Sequence, residues 1–245
     1  QILVEADASD PSATGTAIAA LSALPQQALV HDLTGAVAGR AGGGPPFEVV
    51  VHRRYNPEAI AAYNSVPGLL GVILSMTLVM MTALGVTREY ERGTMETLLA
   101  TPVKPIEVMI GKLAPYVLVG LVQTVVILTL ARVLFDVPFA GGWGALVIGI
   151  LLFIIGSLAL GFLISTVARN QLQAMQMSVF YIFPSLLLSG FMFPFRGMPV
   201  WAQTIGNGLP VTHFLRVVRG ALLKGLGFME LWPSLVAFAE FVLIV

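Results

Sequence analysis

Long apolar runs are the feature that most constrains the fold of this chain. A helix that crosses the hydrocarbon core of a bilayer needs about 20 apolar residues, because it rises about 1.5 Å per residue across about 30 Å. Charged residues make up only 11% of the sequence, against about 25% in soluble domains. Four complete runs and a fifth that is still apolar where the sequence stops are predicted as spans: residues 66–87, 113–131, 145–168, 172–195 and 231–245. The sequence therefore predicts a mainly α-helical, polytopic membrane protein.

Residues 1–65 have a different composition, with mixed polar and apolar positions and the cluster GGGPP at 42–46. Short strands are predicted at 2–4 and 47–51, on either side of a helix over 11–38. Asp10 can cap the first turn of that helix, and Pro11 stands at the first helical position, where proline is tolerated. The pattern predicts a small β-α-β domain outside the membrane. Because Gln1 is not an initiator residue, we expect that domain to be incomplete and a further span to precede it.

The predicted spans contain almost no ionisable residues. None of the four complete runs holds Asp, Glu, Lys, Arg or His in its interior, and only Glu240, in the fifth, is a candidate intramembrane charge. Carriers coupled to protons or sodium usually need ionisable residues or broken helices at mid-membrane. A self-powered secondary transporter is therefore disfavoured. Glu240 could face an aqueous path or pair with a neighbour.

Few residues are arranged for chemistry. No G-x-x-x-x-G-K-S/T run occurs, so the sequence carries no phosphate-binding loop of its own. Cysteine is absent, and His31, His52 and His213 are far apart in sequence, which favours single surface histidines over a metal site. The net charge of zero gives no reason to expect a nucleic-acid partner. We predict no catalytic, cofactor-binding or metal-binding residue in this chain.

A polar hairpin, TREYERGTMETLLATPVKP at 87–105, separates the first two spans. Gly93 is predicted to end the first span's helix, and Thr94 to cap a new one with Glu96 in its first turn. Pro102 disfavours helical geometry in the residue before it, so the short helix is expected over 94–101. Pro105 then opens the helix of the second span.

This short helix is predicted to be amphipathic and suited to docking on another protein. Met95, Leu98 and Leu99 share one of its faces by their three- and four-residue spacing. An amphipathic helix of this kind can dock in a groove on a partner. The alternative is a solvated loop whose charges keep it out of lipid.

The hairpin motif resembles the coupling-helix signature of ABC-type export permeases. The matching residues are Glu91-Arg92-Gly93-Thr94, followed by Glu96, Leu98 and Thr101-Pro102. Further motifs of the same family follow in the expected order. They are DASDP at 7–11, RYNPE at 54–58 with VPG at 66–68, and LPVTHFL at 209–215 with RG at 219–220 and LKG at 223–225.

The resemblance implies a half-transporter of six spans, five of them represented here, with the last truncated. It implies a homo- or heterodimer of permease subunits that works with a cytoplasmic ABC ATPase, which would bind ATP and Mg²⁺. Residues 88–112 would then face the cytoplasm, and residues 1–65 the periplasm, in a multi-pass protein of the bacterial inner membrane. Members with such an outer domain are similar to drug-export and efflux permeases that work with a periplasmic adaptor, so the resemblance also implies a possible adaptor. The residues expected to couple to the ATPase are Glu89, Glu91, Arg92, Gly93, Thr94, Glu96, Leu98 and Leu99.

Residues 196–225 are too broken to span a membrane. Pro199 and Pro210 are each predicted to open a short interfacial or re-entrant helix on the outer side of the 66–245 transmembrane domain. The resemblance implies that these helices lie over the exit of a translocation path. Phe191, Phe193 and Phe195 are candidates for an outer apolar gate, or else anchors at the membrane interface.

Methionine is a further candidate for lining the path. Met76 and Met80 lie one turn apart on the first complete span, and the adaptable methionine side chain suits varied apolar substrates. Ordinary helix packing is the alternative.

The hypothesis that joins these features is an ABC export permease. It would move an amphiphilic, drug-like or lipid-like substrate out of the cytoplasm or the inner leaflet. It would have membrane lipid as a partner and would carry out no enzymatic chemistry of its own. Two rival hypotheses stay open. One is a non-transporting scaffold that transmits force from a partner ATPase, and the other is an intramembrane enzyme, which would need a polar cluster inside the spans.

Overall fold

The computed structural model describes residues 2–8, 11–27, 49–56, 58–93 and 104–244, and divides the chain into two compact units, Gln1–Asn64 and Ser65–Val245. The first unit contains β1 (Ile2–Asp7), α1 (Pro11–Gln27) and β2 (Val49–Arg54). The two strands pair in parallel, with Ile2 opposite Val49. The predicted strand-helix-strand order is present, although both strands extend further than expected. The predicted part of the helix after Gln27 lies outside the described residues.

Asn56, in the RYNPE motif, binds the backbone just before the first long helix. Asn56 is fully buried, and both atoms of its amide bind the backbone of Ile60. The Ile60 N–H donates to Asn56 Oδ1 at 2.9 Å, while Asn56 Nδ2 donates to the Ile60 carbonyl at 2.9 Å. This side-chain turn, of the type that asparagine favours, fixes the backbone just before the helix begins at Ala61.

The remaining helices follow one another with short connections. In chain order they are α2 (Ala61–Glu91), α3 (Pro105–Phe135), α4 (Trp143–Val167), α5 (Gln171–Leu188), a 3₁₀ turn (Phe195–Gly197), α6 (Val200–Asn207), α7 (Pro210–Leu223) and α8 (Phe228–Ile244). In the described part of the chain, three helices are long and apolar enough to cross a membrane: Ala61–Glu91, Ile106–Phe135 and Trp143–Val167. They correspond to the first three predicted spans.

The fourth predicted span, residues 172–195, is wrong as a single helix. α5 has 18 residues and ends at Leu188, and Gln171, Gln173 and Gln176 lower the apolar character of its first two turns. Gly190 then takes a left-handed conformation (φ +83°) and turns the chain, which reaches the 3₁₀ turn at Phe195. The fifth predicted span corresponds to the 17-residue helix α8.

The core of the second unit lies where α4, α7 and α8 meet. The ring of Phe153 on α4 stacks on Phe214 of α7, with centroids 4.0 Å apart, and meets Phe238 of α8 edge-on at 5.9 Å. All three rings are fully buried. Most of α7 is buried too, from Pro210 to Leu215 and on to Leu223, with Arg216 exposed. This short helix is therefore a packed central element of its unit.

Gly161 brings α2 and α4 close together. A Cβ on Gly161 would lie 2.7 Å from both the Val79 carbonyl oxygen and Thr82 Cβ. Small residues allow membrane helices to approach in this way. Around this contact Val79, Ala83, Leu160, Ile164 and Ala174 form a buried cluster.

Candidate coupling site

The last turn of α2 closes where the sequence predicts. The Arg92 N–H donates to the Arg88 carbonyl at 3.1 Å, and the Gly93 N–H to the Tyr90 carbonyl at 3.2 Å. Gly93 has φ +69°, a left-handed conformation that glycine adopts without steric cost. Arg92 and Gly93 are both exposed. Residues 94–103 lie outside the described residues, so the predicted coupling positions Thr94, Glu96, Leu98 and Leu99 stay predictions.

The helix that follows the hairpin begins at Pro105, also as predicted. Its N-cap is Lys104, whose backbone N–H donates to the Glu107 carboxylate at 3.2 Å. Beyond this cap, Ile106 and Ile110 form an apolar stripe, and each is 63% exposed. The chain thus presents apolar surface next to the hairpin, at a position where charged residues are abundant.

An ion pair joins the two sides of the hairpin. Lys112 Nζ, in the second turn of α3, binds the Glu89 carboxylate in the last turn of α2. Both side chains are mostly shielded, with 21% of the Lys112 and 34% of the Glu89 side chain exposed. The pair fixes the end of α2 to the start of α3.

A second carboxylate joins α2 to a helix much further along the chain. The Gln171 backbone N–H donates to Glu91 Oε1 at 2.8 Å, and Gln171 Nε2 donates to Glu91 Oε2. Gln171 is the first residue of α5, so the Glu91 carboxylate lies at a helix N-terminus, where the helix dipole favours an anion. Asn170 completes this end by accepting from the Gln173 N–H at 2.8 Å.

The Glu89 and Glu91 carboxylates together form a joint that links the end of α2 to the starts of α3 and α5. Glu89 binds α3 and Glu91 binds α5, while Gly93 leads directly into the predicted coupling helix. Glu89 and Glu91 were predicted from sequence as coupling residues, but their partners Lys112 and Gln171 were not. No local spacing pattern links positions that are 23 and 80 residues apart.

The predicted path and gate residues have different surroundings. Met76 is 41% exposed on α2, and Met80 is partly buried. Phe191 packs directly over Gly68, whereas Phe193 is 55% exposed. The role of these residues in translocation stays a prediction.

Phe195 belongs to a polar junction between α6 and α7. Its ring packs beside Gly206 and lies under the Arg216 guanidinium, 4.8 Å from the ring centroid. Arg216 Nη2 also donates to Asn207 Oδ1 at 2.7 Å. His213 Nε2 lies 2.7 Å from the carbonyl oxygen of the same Asn207. Asn207 therefore fixes the end of α6 to α7.

The prediction of surface histidines is wrong for His213. This side chain is buried because α7 is an internal helix, and its Nε2 lies against the Asn207 carbonyl at the end of α6. His52 is exposed, and His31 lies outside the described residues.

A polytopic helical membrane protein is the class that the described helices define. Residues 7–245 match the family described as ABC-2 family transporter protein, and the chain belongs to that family. No solved structure matches it. The chain is a multi-pass protein of the inner membrane.

Three relatives come from Escherichia coli K12. The probable multidrug ABC transporter permease YbhS is 33% identical over 182 residues, which cover 74% of this chain and 48% of the relative. The probable multidrug ABC transporter permease YbhR is 31% identical over 188 residues, 77% of this chain and 51% of the relative. The inner membrane transport permease YhhJ is 29% identical over 198 residues, which cover 80% of this chain and 52% of the relative. The chain spans about half the length of these relatives.

Proposed function

We propose that the chain is part of the permease subunit of an ATP-driven ABC exporter. Family membership supports this function, and so do relatives that are named multidrug ABC transporter permeases. The observation that carries the proposal is the joint at the end of α2, where Glu89 and Glu91 bind the ends of two other helices beside the predicted coupling helix.

The proposed power source is ATP hydrolysis on a separate cytoplasmic ABC ATPase with bound Mg²⁺. The sequence contains no G-x-x-x-x-G-K-S/T run that could cradle phosphates. Residues 94–101 would dock on the ATPase, with Glu89, Glu91 and Arg92 beside them. The exposed Ile106 and Ile110 would supply apolar contact area next to this docking site.

Transport would follow from movement of the hairpin. Closure of the ATPase dimer on nucleotide would push the coupling helix, and Gly93 would pass the displacement to α2. Because Glu89 and Glu91 bind α3 and α5, those helices would move with α2. A second permease subunit, identical or different, would form the other half of the path, and the path would open toward the side of α6 and α7.

The proposed substrate is amphiphilic and drug-like or lipid-like. The three long spans carry apolar surface and almost no charge, which suits an apolar solute better than an ion. Met76 and Met80 would line the path, and Phe191, Phe193 and Phe195 would form its outer gate. Residues 1–65 would lie on the periplasmic side, where an adaptor protein could bind.

The test is co-purification of ATPase activity with the full-length protein from its native membrane in detergent. Wild type is compared with Glu96→Arg, a charge reversal in the predicted coupling helix. Glu58→Arg, a reversal of an exposed acid in the first unit, is the matched control. We expect ATPase activity to follow the wild type and the control but to fall with Glu96→Arg.

The result that would overturn the proposal is a permease dimer that stays intact but brings no ATPase with it in any form. The hairpin would then be a solvated loop. If the ATPase co-purifies but substrate export is absent in reconstituted vesicles, the scaffold hypothesis would replace the exporter.

A further inference from the structure

A groove of about 720 Å³ lies at the carboxyl end of α3, where the chain turns into α4. Its volume is in the range of ligand-binding pockets, about 300–1,000 Å³. The lining is apolar apart from Arg132 and Thr129, and the residues that matter here are Val125, Leu128, Arg132, Val133, Phe139 and Trp143. None of these residues belongs to the coupling site.

The groove lies at the level of the lipid headgroups. Arg132 is the first charged residue after Lys112 along α3, and it lies 20 positions further on, a rise of about 30 Å. That distance equals the thickness of the hydrocarbon core. Trp143 is 61% exposed across the groove, and tryptophan is enriched at membrane interfaces. Arg132 thus lies at the face of the membrane opposite the hairpin.

The wall of the groove is held in place by α7. Asp136 has φ +48° and reverses the chain after α3, and Val137 is fully buried behind it. The Ala140 N–H then donates to the Leu222 carbonyl at 3.1 Å, and Gly141 packs so closely on the Ala221 carbonyl that a Cβ would clash. The connection is therefore a fixed surface.

Aromatic stacking completes that surface. The rings of Phe139 and Trp143 stack with centroids 5.1 Å apart and planes 13° from parallel. Together they form a flat apolar wall opposite the side chains of α3.

None of the described residues supplies a counter-ion for the charge in the groove. In the part of the chain that the structure describes, Arg132 makes no ion pair or hydrogen bond, and the nearby Asp136 does not pair with it. The Thr129 hydroxyl is already occupied, since it donates to the Val125 carbonyl at 2.7 Å. A guanidinium binds phosphate with two parallel hydrogen bonds, and a basic residue near the surface of an anionic leaflet is attracted to its headgroups.

We propose that this groove binds an anionic phospholipid of the surrounding bilayer. The headgroup phosphate lies on Arg132, and an acyl chain follows Val125, Leu128 and Val133 along α3 under the Phe139–Trp143 wall. A net negative headgroup is preferred over a zwitterionic one, because the ammonium of the latter would offset the attraction of Arg132.

The experiment uses quenching of Trp143 fluorescence by brominated lipid. Every other tryptophan of the full-length protein is replaced by phenylalanine, and the protein is placed in nanodiscs of phosphatidylcholine. Brominated phosphatidylglycerol or brominated phosphatidylcholine is then titrated in. We expect the phosphatidylglycerol to bind about fivefold more tightly near Trp143, which corresponds to the contribution of about 1 kcal/mol from one basic residue beside an anionic lipid.

The variant Arg132→Gln should reduce this ratio to about one. Arg169→Gln, which removes an exposed cation after α4, is the matched control and should leave the ratio unchanged. Equal quenching by the two lipids in the wild type, or a ratio that survives Arg132→Gln, would overturn the proposal. Absence of quenching by either lipid would also overturn it, since the groove would then be covered by protein.

Discussion

The carboxylate of Glu91 accepts hydrogen bonds from both the backbone and the side-chain amide of Gln171, 80 residues further along the chain. The contact joins the last residue of one long helix to the first residue of another. It makes the N-terminus of α5 dependent on the position of α2.

Removal of this carboxylate should loosen the start of α5. In Glu91→Ala the Gln171 N–H loses its acceptor, while the Asn170 cap on Gln173 is retained. We expect faster hydrogen exchange over residues 170–174 and unchanged exchange in the centre of α4. The measurement is hydrogen-exchange mass spectrometry on the purified protein, with Glu58→Ala as the control. Equal exchange rates in the two variants would show that Glu91 does not hold α5.

The ion pair between Glu89 and Lys112 should show charge-pair coupling. Glu89→Lys and Lys112→Glu each place like charges together, whereas the double variant restores an opposite pair in reversed order. We expect a coupling energy of about 0.5–1 kcal/mol, typical of partly exposed pairs. The measurement is a double-mutant cycle on unfolding in mild detergent. Additive effects of the two changes would mean that the pair contributes nothing.

Much of the helical framework could be predicted because it depends on local signals. The three long helices follow from apolar length, Gly93 ends α2, and prolines precede or open α3, α6 and α7. These signals act within one or two turns of the chain, so they can be recognised from the sequence alone.

The structure differs from the sequence predictions where tertiary packing selects one of two conformations that the local sequence allows. Residues 189–195 are apolar enough to continue a span, yet the chain turns at Gly190 because Phe195 packs back against Gly190 and Gly206. His213 is buried for a similar reason, since its partner Asn207 ends a different helix. The Glu91–Gln171 contact likewise depends on how α2 and α5 are placed. None of these contacts leaves a spacing pattern in the sequence.

The close approach of α2 and α4 should tolerate no side chain at Gly161. Gly161→Ala would place a methyl group 2.7 Å from the Val79 carbonyl oxygen, a backbone atom that cannot rotate away. We expect a loss of about 1–3 kcal/mol in the free energy of unfolding, the usual cost of overpacking. Thermal unfolding in detergent would measure it. Gly144→Ala, in the first turn of the same helix with nothing within 4 Å, should be neutral.

The aromatic cluster at the centre of the second unit should dominate the stability of that unit. Phe153 is fully buried between Phe214 and Phe238, so Phe153→Ala leaves a cavity that two rigid rings cannot fill. We expect a cost of about 3–5 kcal/mol, in the range for buried phenylalanine truncations. Phe180, which is 79% exposed on α5, offers the same substitution without a cavity.

Comparison of Phe153→Ala with Phe180→Ala separates the effect of lost core packing from the effect of lower hydrophobicity, since both variants lose a phenylalanine side chain. Phe180→Ala should change the free energy of unfolding by less than about 0.5 kcal/mol. Phe153→Leu should recover part of the loss, because leucine fills some of the cavity volume. Unfolding in increasing denaturant, read by the loss of the monodisperse detergent-protein peak, gives all three values. If Phe153→Ala and Phe180→Ala unfold at the same denaturant concentration, the contact of α4 with α7 and α8 is not what holds the unit together.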